Sequence, residues 1–255
     1  MQLLVVGATG GTGRQVVEQA LQAGHFVTAF VRDPARLSIQ HSKLTSITGD
    51  VLKPETLLPA VRRQDVVICS LGSRPGQQDQ AVAEGTRNLI AAMQQAGVQK
   101  LFVVSSLGVG TSYEEASLPS KLIIKTLLSV VIAEKEKQEQ AVRESELSWT
   151  IVRPTSLTNG PVTRHYRIGE HLPFSRFDFP RISRADVAAF LLDQLDTDTY
   201  RQKSHNHYRG LNLSGPSVGL AVDEITKAKP ALGPDKKQPA NEVDKPAYNL
   251  FRNGV

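Results

Sequence analysis

The first thirteen residues constrain the fold more than any other stretch of the chain. Gln2–Val6 is a short apolar run, and the sequence GATGGTG, Gly7–Gly13, follows it directly. Glycines at the first, fourth and seventh places let the chain turn sharply, let backbone N–H groups approach a diphosphate, and let a helix lie against the strand. The partial positive charge at the start of that helix then holds the anion. The pattern predicts a dinucleotide site, and an ordinary glycine turn is the alternative.

The residues after the glycines supply the context that a dinucleotide site needs. A helix after Gly13 places Val16, Val17, Ala20 and Leu21 on one face and ends at Gly24, a typical C-terminal glycine. A second apolar strand, Phe26–Val31, follows at once. Strand, glycine turn, helix and strand form the βαβ unit in which this motif binds a dinucleotide.

Strands and helices continue to alternate as far as about residue 194. The further predicted strands are Leu44–Thr48, Asp65–Ser70, Leu101–Ser105 and Ser148–Val152, and the further helices span 54–61, 79–96 and 184–194. The last helix begins with a capping box, Ser183–Asp186. This alternation predicts an α/β fold, a Rossmann-type doubly wound parallel sheet with helices on both faces, in a single domain over residues 1–210.

Two segments inside that domain differ from the regular pattern. A helix reaching residue 144 has an apolar first part, Leu122–Ala133, and a charged second part, Glu134–Glu144. That change predicts a helix that leaves the core for solvent. The stretch Thr155–Arg181 is rich in Pro, Gly, His and aromatic residues, and irregular segments of that length usually serve a site.

The C-terminal stretch, residues 211–255, has a different composition from the domain. Five prolines interrupt a polar sequence with few large apolar residues. This composition predicts a mostly disordered tail. A partner-docking segment ending in Tyr248–Phe251 and a dispensable extension are the two functional alternatives.

Charge and cysteine content exclude several classes of function. The net charge is +5, but Lys and Arg are scattered without interleaved aromatic residues, which argues against nucleic acid. A solvated mixed surface or a modestly basic pocket for anionic ligands explains the charge equally. Cys69 is the single cysteine, so no multi-cysteine metal site is expected. The apolar run Leu122–Ala133 is too short to span a bilayer and no signal peptide is evident, so we expect a cytoplasmic protein without membrane contact.

The end of the second strand selects the dinucleotide. Arg32 stands about 20 residues past the glycines, and Arg36 follows it by four positions. Two guanidinium groups near one phosphate favour NADP, because paired arginine–phosphate contacts are strong and selective. NAD remains the alternative if the carboxylate of Asp33 faces the adenosine instead.

The other strand ends are expected to complete the pocket, because ligands in open α/β sheets bind at the carboxyl ends of the strands. From the adenine to the nicotinamide and its far face, the residues at these ends are Asp50, Val51, Leu71, Gly72, Ser73, Arg74, Ser105, Ser106, Pro154, Thr155 and Ser156. Each residue alone could be an ordinary turn or cap. Their common position at strand ends is what favours a site.

Seven motifs together resemble an atypical short-chain dehydrogenase/reductase. They are Gly7–Gly13, Val31–Asp33, Gly49–Val51, Glu84–Asn88, Ser105–Ser106, Ile151–Pro154 and Ile182–Val187. The chain is most similar to the NAD(P)H-binding group of flavin reductase and biliverdin-IXβ reductase, over residues 1 to about 208, with NmrA-like proteins as further relatives.

The resemblance implies a role for each matching position. The diphosphate would lie on Gly7, Thr9, Gly10, Gly11, Thr12 and Gly13, the 2′-phosphate on Arg32 and Arg36, and the adenine on Asp50 and Val51. Gly72 and Arg74 would line the middle of the cofactor, and Ser106 matches the active-site serine. Ser156 stands where a bilin-reducing member of the group has a histidine.

The chain departs from the superfamily at its Tyr-x-x-x-Lys pair. Lys135 aligns with the lysine, but Val131 stands four residues before it, and neither Tyr113 nor Tyr166 has a lysine four residues on. Ketone chemistry needs a proton delivered as hydride arrives, so it is disfavoured. Lys135 would bind the ribose hydroxyls if it points inward; a solvated lysine is the alternative.

These observations lead to two functional hypotheses. The first is an NADPH-dependent reductase that passes hydride to a flavin such as FMN or FAD, a quinone or a bilin, with Arg164, His165, Arg167 and His171 available to acidic substituents. The second is a non-catalytic NADP(H)-binding redox sensor or assembly factor that docks on protein partners through the helix at 122–133 or the tail. A sugar epimerase is disfavoured because it also needs the Tyr–Lys pair.

Overall fold

The structure, a computed structural model, describes residues 1–73, 80–170, 174 and 179–208. In chain order the strands are β1 Gln2–Val6, β2 Phe26–Val31, β3 Leu44–Thr48, β4 Val66–Cys69, β5 Lys100–Val104, β6 Ser148–Pro154, β7 Ser156–Thr158, β8 Arg167–Gly169, β9 Arg181–Ser183 and β10 Lys203–Tyr208. The helices are α1 Gly11–Gln22, α2 Pro54–Val61, α3 Ala83–Ala96, α4 Ser112–Glu115, α5 Leu118–Thr126, α6 Ser129–Arg143 and α7 Arg184–Asp193. A 3₁₀ turn spans Pro34–Arg36.

The main sheet has the order β3-β2-β1-β4-β5-β6-β10-β8 in the described part of the chain. All its neighbours pair in parallel except β8, which runs antiparallel to β10 at the edge. The order reverses between β1 and β4, which creates the crevice where open α/β sheets bind their ligands. The predicted Rossmann-type doubly wound sheet is therefore confirmed.

Helices cover both faces of the sheet because its central strands are apolar on both sides. One core lies between the sheet and α1 and α7, and includes Leu3, Phe102 and Phe190. The other lies under α2, α3 and α6, and includes Leu4 and Trp149. Ser183 caps α7 as predicted, since its side chain accepts a hydrogen bond from the backbone N–H of Asp186.

The prediction of one helix through residues 122–133 is wrong. α5 ends at Thr126 and α6 begins at Ser129. The prediction that the charged part leaves the core is also wrong: Lys135, Gln138, Glu139 and Val142 are buried. The apolar part is the exposed one, with Leu122 and Leu127 65% and 66% exposed. The many charged residues in this part of the helix suggested exposure to solvent. They can nevertheless be buried because hydrogen bonds satisfy their charges.

The segment expected to be irregular, 155–181, contains β7, β8 and the start of β9. β10 was not predicted, because its sequence KSHNHY is polar, yet His205 and His207 within it are buried. Arg74, His171 and the whole predicted tail 211–255 lie outside the described residues. Among the described residues, no helix is both long and apolar enough to cross a bilayer.

Candidate functional site

The glycine turn after β1 brings the start of α1 against the end of the strand. Gly7 has a φ of +83°, in the left-handed region that favours glycine, and its carbonyl oxygen accepts the N–H of Gly10 at 3.0 Å. A Cβ on Gly13 would lie 2.2 Å from that oxygen. The helix can approach this closely only because residue 13 has no side chain. Thr12 is buried and Thr9 half-buried in the same turn.

A serine at the end of β4 fixes this turn from the neighbouring strand. The hydroxyl of Ser70 can donate a hydrogen bond to the carbonyl oxygen of Val6, at 3.0 Å, or to that of Gly7, at 3.3 Å. Ser70 was predicted only as the last strand residue. The strand-end argument that selected the residues after it would have selected Ser70 as well.

A cleft of about 500 Å³ opens over the carboxyl ends of β1, β2 and β4. It lies where the strand order reverses, as expected for a dinucleotide site. The predicted site residues that line it are Gly7, Thr9, Gly10, Arg32, Arg36, Asp50, Val51, Leu71 and Gly72. Gly11, Thr12, Gly13, Ser73, Ser105, Ser106, Pro154, Thr155 and Ser156 do not line this cleft.

Arg32 and Arg36, both exposed, form one end of the cleft. Asp33 does not line it, because its carboxylate accepts the N–H of Ala35 at 3.0 Å and caps the 3₁₀ turn. Arg14 on α1 supports that turn: its guanidinium donates to the Arg36 carbonyl oxygen and to the Ser38 hydroxyl, both at 3.0 Å. Sequence analysis missed Arg14, although it directly follows the last glycine.

The Glu84–Asn88 motif on α3 packs against Val51, which lines the cleft. Asn88 donates its side-chain amide to the carbonyl oxygen of Val51 at 2.9 Å. A Cβ on Gly85 would lie 2.5 Å from the Val51 side chain, so glycine lets α3 approach this closely. Asp50, next in the wall, accepts the N–H of Leu52 at 3.0 Å. The motif therefore positions Val51, one of the two residues that were predicted at the adenine.

Lys135 points into the protein, between the ends of β4 and β5. Its ammonium donates to the carbonyl oxygens of Leu71 at 2.6 Å and Val104 at 2.7 Å, and to the Gln138 side chain at 2.9 Å. Burial lowers the pKa of Lys135 to about 8. Lys135 points inward, as the first sequence alternative required. The side chain is not solvated, and protein acceptors take all three of its donors rather than leaving them for a ribose.

Glu139, one turn further along α6, is the centre of a buried ionic network. Its carboxylate accepts from Arg153 at 2.7 and 2.9 Å, from Arg143 at 2.6 Å and from the Ser105 hydroxyl at 2.5 Å. Burial alone would raise the pKa of Glu139, but the hydrogen bonds and charge of Arg153 hold it below its usual value. The hydroxyl of Ser105 is therefore committed to Glu139.

The remaining predicted residues lie at the ends of β5 and β6, which are neighbours in the sheet. Ser106 is half-buried and donates its hydroxyl to the Leu107 carbonyl oxygen at 3.1 Å. The Thr155 hydroxyl is buried, and so is that of Ser73; neither has a hydrogen-bond partner within the described part of the chain. Pro154 is buried and Ser156 exposed. Within the described residues, the hydroxyls of Thr155 and Ser73 therefore remain without a hydrogen bond.

Tyr113 and Tyr166 make contacts with residues other than Lys135. Tyr166 packs edge-on against Phe190 and stacks on His207, and burial raises its pKa. Tyr113 packs beside the ammonium of Lys121, 5.6 Å from its ring centre. Position 131, one turn before Lys135, is a half-buried valine. Lys135 therefore has no tyrosine partner at the usual place.

Comparison with known proteins is consistent with this arrangement. A family model described as NAD(P)H-binding matches residues 7–198. The chain belongs to the NAD(P)H-binding family. This membership confirms the NAD(P)H-binding character that the sequence motifs predicted.

Several proteins resemble this NAD(P)H-binding chain in sequence. The photosystem II assembly factor Ycf39 of Synechocystis is 29% identical over 214 residues, 78% of this chain and 61% of Ycf39. An uncharacterised chloroplastic protein of Arabidopsis thaliana, At2g34460, is 34% identical over 171 residues, 64% of this chain and 61% of that protein. The chain thus spans about three fifths of the length of these two relatives.

Solved structures share the fold of this NAD(P)H-binding chain. ChuY, an anaerobilin reductase from Escherichia coli O157:H7, has a TM-score of 0.70 at 22% identity, covering 84% of this chain and 100% of ChuY. A short-chain dehydrogenase/reductase from Veillonella parvula in complex with NADP has the same TM-score and identity, covering 81% and 93%. At this identity the likeness concerns the fold.

Proposed function

We propose that this protein is an NADPH-dependent oxidoreductase that transfers hydride to a conjugated acceptor, a flavin, a quinone or a bilin-like tetrapyrrole. The observation that carries the proposal is the pairing of Arg32 and Arg36 in the cleft, with Asp33 turned to its own backbone. Two guanidinium groups suit the 2′-phosphate that distinguishes NADPH from NADH. The glycine turn, which admits no Cβ at residue 13, suits the diphosphate.

The chain's own groups bind and orient the reactants. When bound, the nicotinamide supplies the hydride. The free hydroxyl of Thr155 suits the nicotinamide carboxamide, since a buried hydroxyl without a partner gains a hydrogen bond there. Ser106, at the end of the neighbouring strand, would orient the acceptor or the nicotinamide. Lys135 acts on this site through the Leu71 carbonyl oxygen that it holds.

The choice of acceptor is supported by the hydrogen bonds that Lys135 and Ser105 already make within the protein. Lys135 is fully hydrogen-bonded, and Ser105 is bonded to Glu139. A ketone would need an acid at this place, whereas a conjugated ring system spreads the arriving charge and can take its proton from water. Catalysis would then rest on holding the two reactants at hydride-transfer distance.

Oxidation of NADPH by the purified protein tests the proposal, followed at the nicotinamide absorbance with FMN, a quinone and biliverdin in turn. We expect acceptor-dependent oxidation, and an increase of about 10- to 100-fold in KM for NADPH in Arg32→Ala, because one charged phosphate contact is lost. KM for NADH should stay nearly constant. Arg62→Ala, which removes an exposed arginine after α2, is the matched control. Tight NADPH binding without oxidation by any of these acceptors would contradict the reductase.

A second candidate is a non-catalytic NADP(H)-binding protein that docks on protein partners. Four apolar side chains around the α5–α6 junction favour it, because they are exposed: Leu118 at 45%, Leu122 at 65%, Leu127 at 66% and Val130 at 38%. Clustered exposed apolar residues often mark protein contacts. The Ycf39 relative, named as an assembly factor, is a further reason to consider this function.

Leu122→Glu with Leu127→Glu tests the second candidate in the source cells. Both side chains are mostly solvated, so the double variant should fold and bind NADPH like the wild type. Loss of a co-purifying partner from this variant, with NADPH binding intact, would support docking. If the wild type and the double variant recover the same proteins in equal amounts, this surface is excluded as the docking site.

A further inference from the structure

Arg184, the first residue of α7, lies against the first residue of α1. A Cβ built on Gly11 would be 2.7 Å from both Cδ and Nε of Arg184, and 3.5 Å from its Cζ. The Arg184 side chain therefore covers the first turn of α1, and the N–H groups at the start of a helix have no partners within the helix and are a common anion-binding site. The packing of α1 against α7 holds the two helix starts together, and Gln19 on α1 donates to the Ala185 carbonyl oxygen at 3.0 Å.

Among the described residues, only neutral groups are hydrogen-bonded to the Arg184 guanidinium. Its guanidinium donates to the Asn159 side-chain oxygen at 2.7 Å and, more weakly, to the Leu157 carbonyl oxygen at 3.5 Å. Both acceptors are neutral, and within the described ranges no carboxylate forms an ion pair with Arg184. The first turn of α1 has no acidic residue either.

This arrangement is electrostatically unfavourable without an anion. The N-terminus of a helix carries a partial positive charge, so a guanidinium over the start of α1 is repelled by it. Arg184 also begins α7, which adds a second positive helix end. An anion at the start of α1 would turn this repulsion into attraction. Family membership supplies such an anion independently, since NAD(P)H carries a diphosphate.

We propose that Arg184 binds the diphosphate of the dinucleotide, together with the glycine turn. This inference rests on the proposed NADPH site. Leu157 and Asn159, which orient the guanidinium, belong to the segment after β6. The arginine therefore joins that segment to the diphosphate, and its role differs from that of Arg32 and Arg36 at the other end of the cofactor.

Binding constants of Arg184→Ala for two ligands test the proposal. We expect Kd for NADPH, measured by nicotinamide fluorescence, to rise about 10- to 100-fold, because a charge-assisted contact is lost. Adenosine 2′-monophosphate has no diphosphate, so its Kd should change less than about twofold at physiological salt, where distant charges are screened. Arg62→Ala, with the same change of charge at the carboxyl end of α2, should bind both ligands like the wild type.

Gly11→Ala tests the same contact without removing a charge. The new methyl group would meet the flexible end of the Arg184 side chain and displace it, and residue 11 has ordinary helical backbone. We expect weaker NADPH binding from Gly11→Ala alone, but little further loss when it is added to Arg184→Ala. This variant keeps the proposal testable if Arg184→Ala does not fold.

Three results would separate failure of this inference from failure of the proposed function. A wild type that binds NADPH no better than Arg184→Ala overturns the role of Arg184 alone. Equal losses for NADPH and adenosine 2′-monophosphate also overturn it, because they indicate a general distortion of the cleft. A wild type that binds neither ligand contradicts the NADPH site itself.

Discussion

The ammonium of Lys135 and the carbonyl oxygen of Leu71 are 2.6 Å apart, and this hydrogen bond joins helix α6 to the wall of the cleft. The same ammonium reaches the Val104 carbonyl oxygen at the end of β5. Lys135 thus bridges the ends of two neighbouring strands at the edge of the sheet where the cofactor is expected. Its position in sequence suggested a catalytic lysine, whereas its contacts are those of a positioning residue.

Lys135→Met should destabilise the protein by about 2–4 kcal/mol. The change leaves three acceptors without their charged donor, and relief of the buried charge offsets part of that loss. Leu71 would also be less well held, so Kd for NADPH should rise. Urea unfolding and NADPH titration measure the two effects, with Lys125→Met, an exposed lysine on α5, as control. A variant as stable as the wild type would show that the three hydrogen bonds contribute little.

Glu139→Gln should cost about 3–5 kcal/mol of unfolding free energy. The carboxylate is completely buried and is the ionic partner of Arg153, whose side chain is 4% exposed, so the substitution leaves an uncompensated buried charge. The exposed pair of Glu84 with Arg87 provides the matched control, and Glu84→Gln should change stability by less than about 0.5 kcal/mol. Denaturant unfolding at neutral pH compares them. Similar small effects from both variants would contradict the buried network.

Acid should destabilise the protein through His207. Burial lowers its pKa to about 3, from an ordinary value near 6.5, and neither ring nitrogen has a partner among the described residues. Because the unfolded chain binds the proton first, this contribution to stability is complete above about pH 6.5 and decreases as the pH falls towards 3. Between pH 7 and 5 the loss should be about 2 kcal/mol.

His207→Leu should reduce that dependence on pH. Leucine suits the apolar contacts with Phe190 and carries no proton, so the difference in unfolding free energy between pH 5 and 7 should become smaller than in the wild type. Unfolding curves at several pH values for both proteins provide the measurement. Parallel pH dependences would mean that His207 is not the group responsible.

The sequence predicted the sheet well because its central strands carry local signals: apolar runs bounded by glycine, proline or polar turns. Strands β1 to β6 lie within two residues of their expected places. β10 lacks such a signal, because its two buried histidines are polar residues in the sequence pattern. In the folded protein they pack against Tyr166, Phe190 and Tyr200. Only tertiary packing makes that segment a strand.

The site was predictable to the extent that position along a strand determines it. Arg32, Asp50 and Leu71 line the cleft because each follows a parallel strand. Whether a long polar side chain points into the protein or into solvent was not predictable in this way. Lys135 and Glu139 are on the charged part of a helix, and their burial depends on carbonyl oxygens and arginines that are distant in sequence.

Arg14→Ala should weaken NADPH binding about 3- to 10-fold and leave NADH binding nearly unchanged. The guanidinium of Arg14 donates hydrogen bonds to the Arg36 carbonyl oxygen and to the Ser38 hydroxyl. Its removal should therefore loosen the turn that carries Arg36, and should not remove a contact with the diphosphate. Loss of one or two such hydrogen bonds near the surface accounts for the moderate size of the effect. Titration of both dinucleotides, with Arg32→Ala measured alongside, gives the ratio of their dissociation constants. We define selectivity as Kd for NADH divided by Kd for NADPH. This ratio should fall in both variants, and more in Arg32→Ala than in Arg14→Ala. If Arg14→Ala weakens the two dinucleotides equally, Arg14 supports the adjacent glycine turn, and selectivity depends on Arg32 and Arg36 without it.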